Sequence, residues 1–176
     1  MNGSQYLKVA IKHRPQGVIV RFCQPQGVHG RYNYCMKIVE SPRPNTAETL
    51  LTMLHEFAHA ELHSDRNLFS GVPYHVTEQE CDEWALNRFR EEGLNEDAEK
   101  LLGASRDYIF EKIGEDFALF KGIGRRALGY LTCDQQTQIK AQYERYLEEK
   151  IPSPFERKYI DREYQGWHSP LQEFNR

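Results

Sequence analysis

Two histidines and a glutamate stand at a spacing that suits metal binding and the activation of water. The stretch from His55 to His59 reads HEFAH, an HExxH motif with Glu56 directly after the first histidine. Residues four apart lie one turn apart on the same face of a helix, so both imidazoles can reach one zinc ion. Glu56 would then stand beside the reacting water as a general base. His55 and His59 are therefore predicted zinc ligands, and Glu56 is the predicted catalytic residue.

A third ligand must come from outside the motif, and there are three candidates: His63, His75, and an acidic residue of the segment EQECDEWA, which begins at Glu78. His63 follows His55 by eight residues, about 12 Å along a helix that rises 1.5 Å per residue. Because Zn–N bonds are only about 2 Å long, a straight helix cannot bring both histidines to one ion. We expect His63 to interact instead with the dipole at the C-terminal end of the helix.

The second helix, predicted over residues 77–92, carries two acidic residues on its apolar face. Glu78 and Asp82 are four apart and fall within the arc of its apolar residues, which include Cys81, Ala85 and Phe89. A carboxylate among apolar side chains is costly unless it is paired or bound to a metal. We therefore predict Glu78 as the third zinc ligand. Asp82 is predicted to accept a hydrogen bond from the distal nitrogen of a ligand histidine and so to fix its tautomer.

Two histidines and one glutamate leave the fourth position of a tetrahedral zinc ion open, which is typical of catalytic sites. The set predicts a zinc endopeptidase in which Glu56 takes a proton from water and passes it to the leaving amine. Tyr74 or His75, between the two helices, could donate a hydrogen bond to the tetrahedral oxyanion. An extended peptide could pair with a candidate edge strand predicted at Arg31–Val39.

The two motifs together resemble those of the ImmA/IrrE-type metallopeptidases. HEFAHAELH followed by EQECDEWA is similar to that family's HELxHxxLH and its helix ExExNxFA, over roughly residues 30–92. The resemblance implies a gluzincin-like enzyme with His55, His59 and Glu78 on zinc and Glu56 as the base. It also implies a protein substrate, a transcriptional repressor. Asp82 stands where the family often has Asn, and Cys81 where it often has Ala.

Two other functions remain open. An SprT-like protease acting on DNA-bound proteins would use His75 as third ligand, since its spacing from His59 is close to theirs. The chain has no HGxxF-like element, however, and with 23 Lys+Arg against 26 Asp+Glu it is not basic, so direct nucleic-acid binding is not expected. The non-enzymatic alternative is a catalytically idle binding or assembly protein with a zincin fold, because nearly half of the chain lies outside the motifs.

The elements that must position these residues can be read from the apolar pattern. Residues 1–44 are interpreted as short strands with Gly and Pro breaks, with strands at Gly17–Cys23 and Arg31–Val39. The HExxH helix is predicted over residues 45–64, with Asn45 as N-cap and Glu48 as its capping-box partner. In the second helix Thr77 is the predicted N-cap and Glu80 its partner. Glu80 and Glu83 are predicted to face solvent.

The predicted fold class is α+β: a small zincin-like β-sheet packed on the HExxH helix and the second ligand-bearing helix. Residues 1–93 form the predicted metallopeptidase core. Residues 94–150 form a mainly helical extension with breaks at Gly103 and across residues 122–129, and with Ile109, Ile113, Phe117 and Phe120 as its core. Residues 151–176 are predicted to be an extended tail whose aromatic side chains pack on the body or on a partner.

The composition of the chain bears on where in the cell the protein is expected. No apolar run of the 176-residue chain approaches the roughly 20 residues that a membrane helix needs. The N-terminal residues lack the apolar stretch of a signal peptide. Four cysteines without a CxxC pair favour free thiols in a reducing compartment. A cytoplasmic location without membrane association is therefore expected.

Overall fold

The computed structural model describes residues 3–25, 29–64, 72–117 and 123–150. Over these residues the fold is α+β, with six helices and one three-stranded mixed sheet. The chain divides into two compact units, the first made of residues up to Val72 with Thr77–Ser105, the second of Pro73–Val76 and the chain from Arg106 onward. The predicted three-part division of the sequence stays a prediction, and its tail, residues 151–176, lies outside the described residues.

The helices are α1 (Gly3–Lys12), α2 (Ala47–Leu62), α3 (Tyr74–Glu91), α4 (Asn95–Phe117), α5 (Arg125–Tyr130) and α6 (Cys133–Lys150). The strands are β1 (Ile19–Phe22), β2 (Arg31–Asn33) and β3 (Ile38–Ser41). Within the described part of the chain, no helix is long and apolar enough to cross a membrane.

Helix α1 was not predicted, because residues 1–44 were interpreted as strands. Its buried residues, Tyr6, Val9 and Ala10, recur at intervals of three and one, which is the spacing of one helix face. The Tyr6 hydroxyl donates a hydrogen bond to Asp97 Oδ2 at 2.9 Å and so ties α1 to α4. The short apolar run around Val9 fits a strand or a helix equally well, and only the tertiary contact decides between them.

The sheet has the strand order β1-β3-β2, with β3 in the centre. β1 runs parallel to β3, and β2 runs antiparallel to it with Tyr32 opposite Val39. The prediction of one strand over Arg31–Val39 was therefore wrong, because the chain turns between β2 and β3. Asn33 Oδ1 accepts a hydrogen bond from the Met36 N–H, and Lys37 has a φ of 52°, features that belong to a tight turn. The Arg31–Asn33 part lies at the sheet edge, as predicted.

Helix α2 begins after Thr46, whose side chain accepts a hydrogen bond from the Thr49 N–H while the Thr49 side chain bonds back to the Thr46 N–H. This capping box lies one residue beyond the predicted one at Asn45 and Glu48. The buried apolar face of α2 packs against β2, β3 and α1, and it comprises Leu50, Met53, Leu54, Phe57 and Ala58. That packing fixes the rotation of α2 and with it the direction in which the HExxH side chains leave the helix.

Helix α3 begins at Tyr74, three residues before the predicted start, so Thr77 lies inside the helix and is not its N-cap. The prediction that Glu80 faces solvent was also wrong, since Glu80 is 5% exposed. Within α4, Gly103 does not break the helix. Space around Gly103 is open: apart from the neighbouring residues and the backbone of its own helix, no described atom lies within 4 Å of a Cβ placed there, so the glycine is tolerated without a turn.

The second unit has its own apolar core, made of Ile109, Ile113, Ala127, Leu131 and Ile139. Burial of the first two confirms that part of the predicted core of the extension. Phe117 is described only as the last residue of α4, without its side chain, and Phe120 lies outside the described residues.

A fully buried histidine, His75, connects three segments of the second unit. Its Nδ1 lies 2.7 Å from Asp116 Oδ2, its backbone N–H donates to the same oxygen, and its Nε2 accepts a hydrogen bond from the Gly124 N–H at 2.9 Å. Close packing accompanies these bonds, since a Cβ at Gly124 would overlap Val76 Cγ2. Gly124 therefore serves both as a donor and as a position where no side chain fits.

We predict that Gly124→Ala lowers the free energy of unfolding by about 1–3 kcal/mol, the usual cost of overpacking. The new methyl group would press on Val76, whose branched side chain has little rotamer freedom to move away. Gly129→Ala, in α5, is the matched control, because nothing lies within 4 Å of a Cβ there and Ala favours a helix over Gly. Urea unfolding followed by circular dichroism measures both. Equal unfolding midpoints for the two variants would contradict the prediction.

Candidate metal centre

Helices α2 and α3 bring the three predicted ligands together. His55 and His59 lie one turn apart on α2, with ring centroids 4.9 Å from each other. Glu78 of α3 reaches both rings: its Oε2 lies 3.2 Å from His55 Nε2, and its Oε1 lies 3.2 Å from His59 Nε2. Two ligand atoms of a tetrahedral zinc ion with bonds of 2.0–2.1 Å are separated by about 3.3–3.4 Å. Each Glu78 oxygen therefore lies close to this separation from the nitrogen of one imidazole.

The charges in this group fit a metal site. Burial alone would raise the pKa of Glu78, but the hydrogen bonds and charges of His55 and His59 hold it far below its ordinary value. Burial alone would lower the pKa of His55, but Asp82 and Glu78 outweigh it and place the pKa well above its usual value. An ionised carboxylate is thus kept between two imidazoles. A metal bound here would displace the proton on His55 Nε2, as metal binding to histidine ordinarily does.

Asp82 supports His55 from the side opposite Glu78. Asp82 Oδ1 lies 2.7 Å from His55 Nδ1, and Asp82 Oδ2 accepts a hydrogen bond from the Ser105 hydroxyl. With Nδ1–H directed at Asp82, the lone pair of Nε2 is left for a metal. The contact is the one predicted for Asp82. Ser105 was not foreseen, since it comes from α4 and has no sequence spacing that relates it to the motif.

Glu56 is 8% exposed and lies against the edge strand. The backbone N–H of Tyr32, in β2, donates to its carboxylate, while burial is the main reason that the pKa of Glu56 rises to about 7. Gly30, just before β2, makes the close approach feasible, because a Cβ there would lie 2.9 Å from both Glu56 Cγ and Glu56 Oε1. A carboxyl group with a pKa near neutrality is well suited to exchange protons with a reacting molecule.

A buried pair, His63 and Glu80, lies next to His59 on the side of its Nδ1 atom. His63 was predicted to lie at the end of the helix, and Glu80 was predicted to face solvent. His63 is 2% exposed, and its Nε2 lies 3.0 Å from Glu80 Oε2. Its Nδ1 lies 3.4 Å from His59 Nδ1. The spacing of four between His59 and His63 is a signal that could have predicted this contact, because such residues are neighbours on a helix.

Cys81 is a further side chain with metal-binding chemistry near the pair. Ligand atoms of His55, His59 and Cys81 all lie within 4.8 Å of one another, so these three residues form a group that could hold a metal ion. The Cys81 sulfur also lies 3.5 Å from His63 Nδ1. Burial raises the pKa of this thiol well above its ordinary value, whereas Glu78 is ionised. Because metals bind the thiolate and not the thiol, a metal ligated by Cys81 would have to displace the proton of this buried thiol.

His75 and Tyr74 both belong to the second unit. Both ring nitrogens of His75 are engaged, by Asp116 and by the Gly124 N–H. To ligate a metal, or to donate to an oxyanion from Nε2, His75 would first have to lose one of these bonds, and this favours Glu78 over His75 as third ligand. Tyr74 is 47% exposed, and its ring lies 5.8 Å from Lys112 Nζ. A role for Tyr74 in catalysis stays a prediction.

Comparison of the chain with protein-family models, with curated proteins and with solved structures gave no match in any of the three. The assignment of a metal centre therefore depends on the positions of the chain's own side chains. Within the described residues, the histidine pair and Cys81 form a group that could hold a metal ion, and Glu78 lies 3.2 Å from both imidazoles.

We predict that the purified protein binds about one equivalent of zinc, in the mononuclear geometry of such sites. Glu78→Ala should abolish tight binding, because it removes the only carboxylate that contacts both imidazoles among the described residues. His75→Ala and Glu83→Ala should keep it, the latter as a control on the same helix. Competition with a chromogenic chelator measures the affinity. Zinc retained by Glu78→Ala but lost by His75→Ala would assign the third ligand to His75.

Proposed function

We propose that the protein is a zinc-dependent endopeptidase of zincin type that cleaves a specific protein inside the cell. The observation that carries the proposal is the position of Glu56, which lies next to a ligand histidine in sequence and against the edge strand β2 in space. A general base and a place for an extended chain are thus on the same side of the site. Resemblance of the two motifs to the ImmA/IrrE-type metallopeptidases supports a transcriptional repressor as the substrate.

In the proposed reaction, different residues bind the metal, transfer protons and position the groups that do so. His55, His59 and Glu78 would hold the zinc ion, which when bound acidifies water and polarises the scissile carbonyl group. Glu56 accepts the proton of the attacking water and delivers it to the leaving amine. The Tyr32 N–H donates a hydrogen bond to the Glu56 carboxylate. Asp82 keeps the proton of His55 on Nδ1.

The substrate chain would bind in extended form along the outer edge of β2. Strand β2 pairs with β3 on one side, and in the described sheet it is the last strand on the other. An added strand there gains main-chain hydrogen bonds without a requirement for particular side chains. It would run next to Gly30 and Tyr32, the two residues that contact Glu56, and this places a peptide bond near the base.

We predict that Glu56→Gln abolishes hydrolysis, with a loss of at least about 10²–10⁴-fold, the usual contribution of a general base. Zinc content and melting temperature should stay close to those of the wild type, because Glu56 is not a ligand and Gln has nearly the same shape. Zinc-loaded protein is incubated with the proteins of its own cells, and new N-termini are identified by mass spectrometry. If the two proteins produce the same N-termini, or neither produces any, the protein is an idle zincin-fold binding or assembly protein.

Gly30→Ala tests the contact between the edge strand and the base. The added methyl group would lie 2.9 Å from Glu56 Cγ and Oε1 and from Thr52 Cγ2, so the carboxylate must move. Since displacement of a catalytic group by about 1 Å can cost about 10²-fold in rate, we expect hydrolysis to fall strongly while zinc stays bound. Gly103→Ala, with open space around it, is the control. Full activity in Gly30→Ala would show that Glu56 does not need this position.

A further inference from the structure

Each candidate zinc histidine uses its second ring nitrogen in a different way. His55 Nδ1 faces the carboxylate of Asp82 at 2.7 Å, a common support for a ligand histidine. His59 Nδ1 faces another imidazole, with His63 Nδ1 at 3.4 Å. A carboxylate follows one step further out, since Glu80 Oε2 lies 3.0 Å from His63 Nε2.

We propose that His63 and Glu80 are positioning residues for the metal site, which hold the proton of His59 on Nδ1 and so keep its Nε2 free for the ion. The inference rests on the proposed zinc site. It assigns a role to a histidine that cannot itself reach the ion, because on α2 it lies two turns beyond His55.

The positions of the protons follow from the hydrogen-bonding capacity of each group. An ionised carboxylate can only accept, so the His63 Nε2 that faces Glu80 carries a proton. In a neutral imidazole the other nitrogen is then an acceptor, and His63 Nδ1 receives the Nδ1–H of His59. The Cys81 sulfur lies 3.5 Å from the same His63 Nδ1. A thiol is only a weak donor, so it competes poorly with the His59 N–H for the one lone pair of this nitrogen. His59 is left with its lone pair on Nε2, the atom that faces Glu78.

Stability alone does not account for this pair. Both residues are at least nine-tenths buried, and Glu80 Oε1 is a buried oxygen that has no hydrogen-bond partner in the described part of the chain. A half-satisfied buried carboxylate destabilises a folded protein, and apolar residues of similar volume at the two positions would pack without that cost. The pair is therefore better explained by what it does to His59 than by its contribution to folding.

The test compares His63→Leu with His63→Gln. Leucine fills the space but can neither accept from His59 nor donate to Glu80. Glutamine can do both, with its carboxamide oxygen towards His59 and its amide group towards Glu80. His13→Gln is a matched control, because His13 also pairs with a glutamate of the first unit, Glu92, at 2.7 Å but contacts no ligand histidine in the structure.

Two readouts are used, the zinc affinity from chelator competition and the visible absorption spectrum of the cobalt(II)-substituted protein. We expect His63→Leu to lower the zinc affinity by about 10–100-fold, the range found for groups that orient metal ligands, and to alter the cobalt spectrum. His63→Gln and His13→Gln should bind zinc and absorb like the wild type. The melting temperature of the metal-free His63→Leu protein should fall, because Glu80 stays buried without its partner. Replacing Glu80 by leucine as well removes that cost, so the double variant should melt close to the wild type.

Other results overturn the inference. If the wild type binds neither zinc nor cobalt, the proposed function fails and the role of His63 fails with it. If the wild type binds zinc and both His63 variants bind it equally well, only the inference about His63 and Glu80 is wrong. Equal loss in both variants, together with a lower melting temperature, would show a purely structural role. A thiolate-to-cobalt absorption band that disappears in Cys81→Ser would make Cys81 a ligand and contradict the proton positions given above.

Discussion

The packing of the first unit depends on one buried negative charge, the carboxylate of Glu78, which is almost completely shielded from water. Glu78 is 1% exposed, and an ion at such depth costs several kcal/mol, on the order of what many small proteins have as their whole stability. Only groups of opposite character close to both oxygens can offset that cost. His55 and His59 provide them at 3.2 Å, so helices α2 and α3 must pack with these faces together.

The residues around Glu78 also need hydrogen-bond partners, because they are buried polar groups themselves. Each imidazole that faces Glu78 has a second nitrogen that also needs a partner, and these partners are Asp82 for His55 and His63 for His59. Both partners are buried in turn and are satisfied by Ser105 and by Glu80. Buried polar groups are nearly always hydrogen-bonded, and here the rule produces a connected polar layer between two helices that also bury apolar residues such as Leu54, Phe57, Leu86 and Phe89.

The sequence was sufficient for the parts of the site that depend on helical periodicity. His55 and His59 are four apart, as are Glu78 and Asp82, and the structure places all four side chains together. Features that depend on tertiary packing were missed. Ser105 comes from a different helix. The burial of Glu80 depends on His63, which lies 3.0 Å from it at the end of α2, and the apolar arc of α3 alone does not indicate that contact. The break between β2 and β3 was hidden because its residues include Tyr34, Cys35 and Met36, which are compatible with a strand.

Three histidines at intervals of four along α2 give the pair of helices a single alignment. From first to last they contact Asp82, Glu78 and Glu80 of α3. A slip of α2 by four residues, about 6 Å at 1.5 Å per residue, would move each imidazole to its neighbour's position and leave one terminal carboxylate buried without any imidazole. Leucine and phenylalanine side chains re-pack after such a shift at modest cost, whereas an abandoned charge does not. The polar layer thus fixes the axial alignment of α2 and α3 and disfavours misaligned pairings of the two helices during folding.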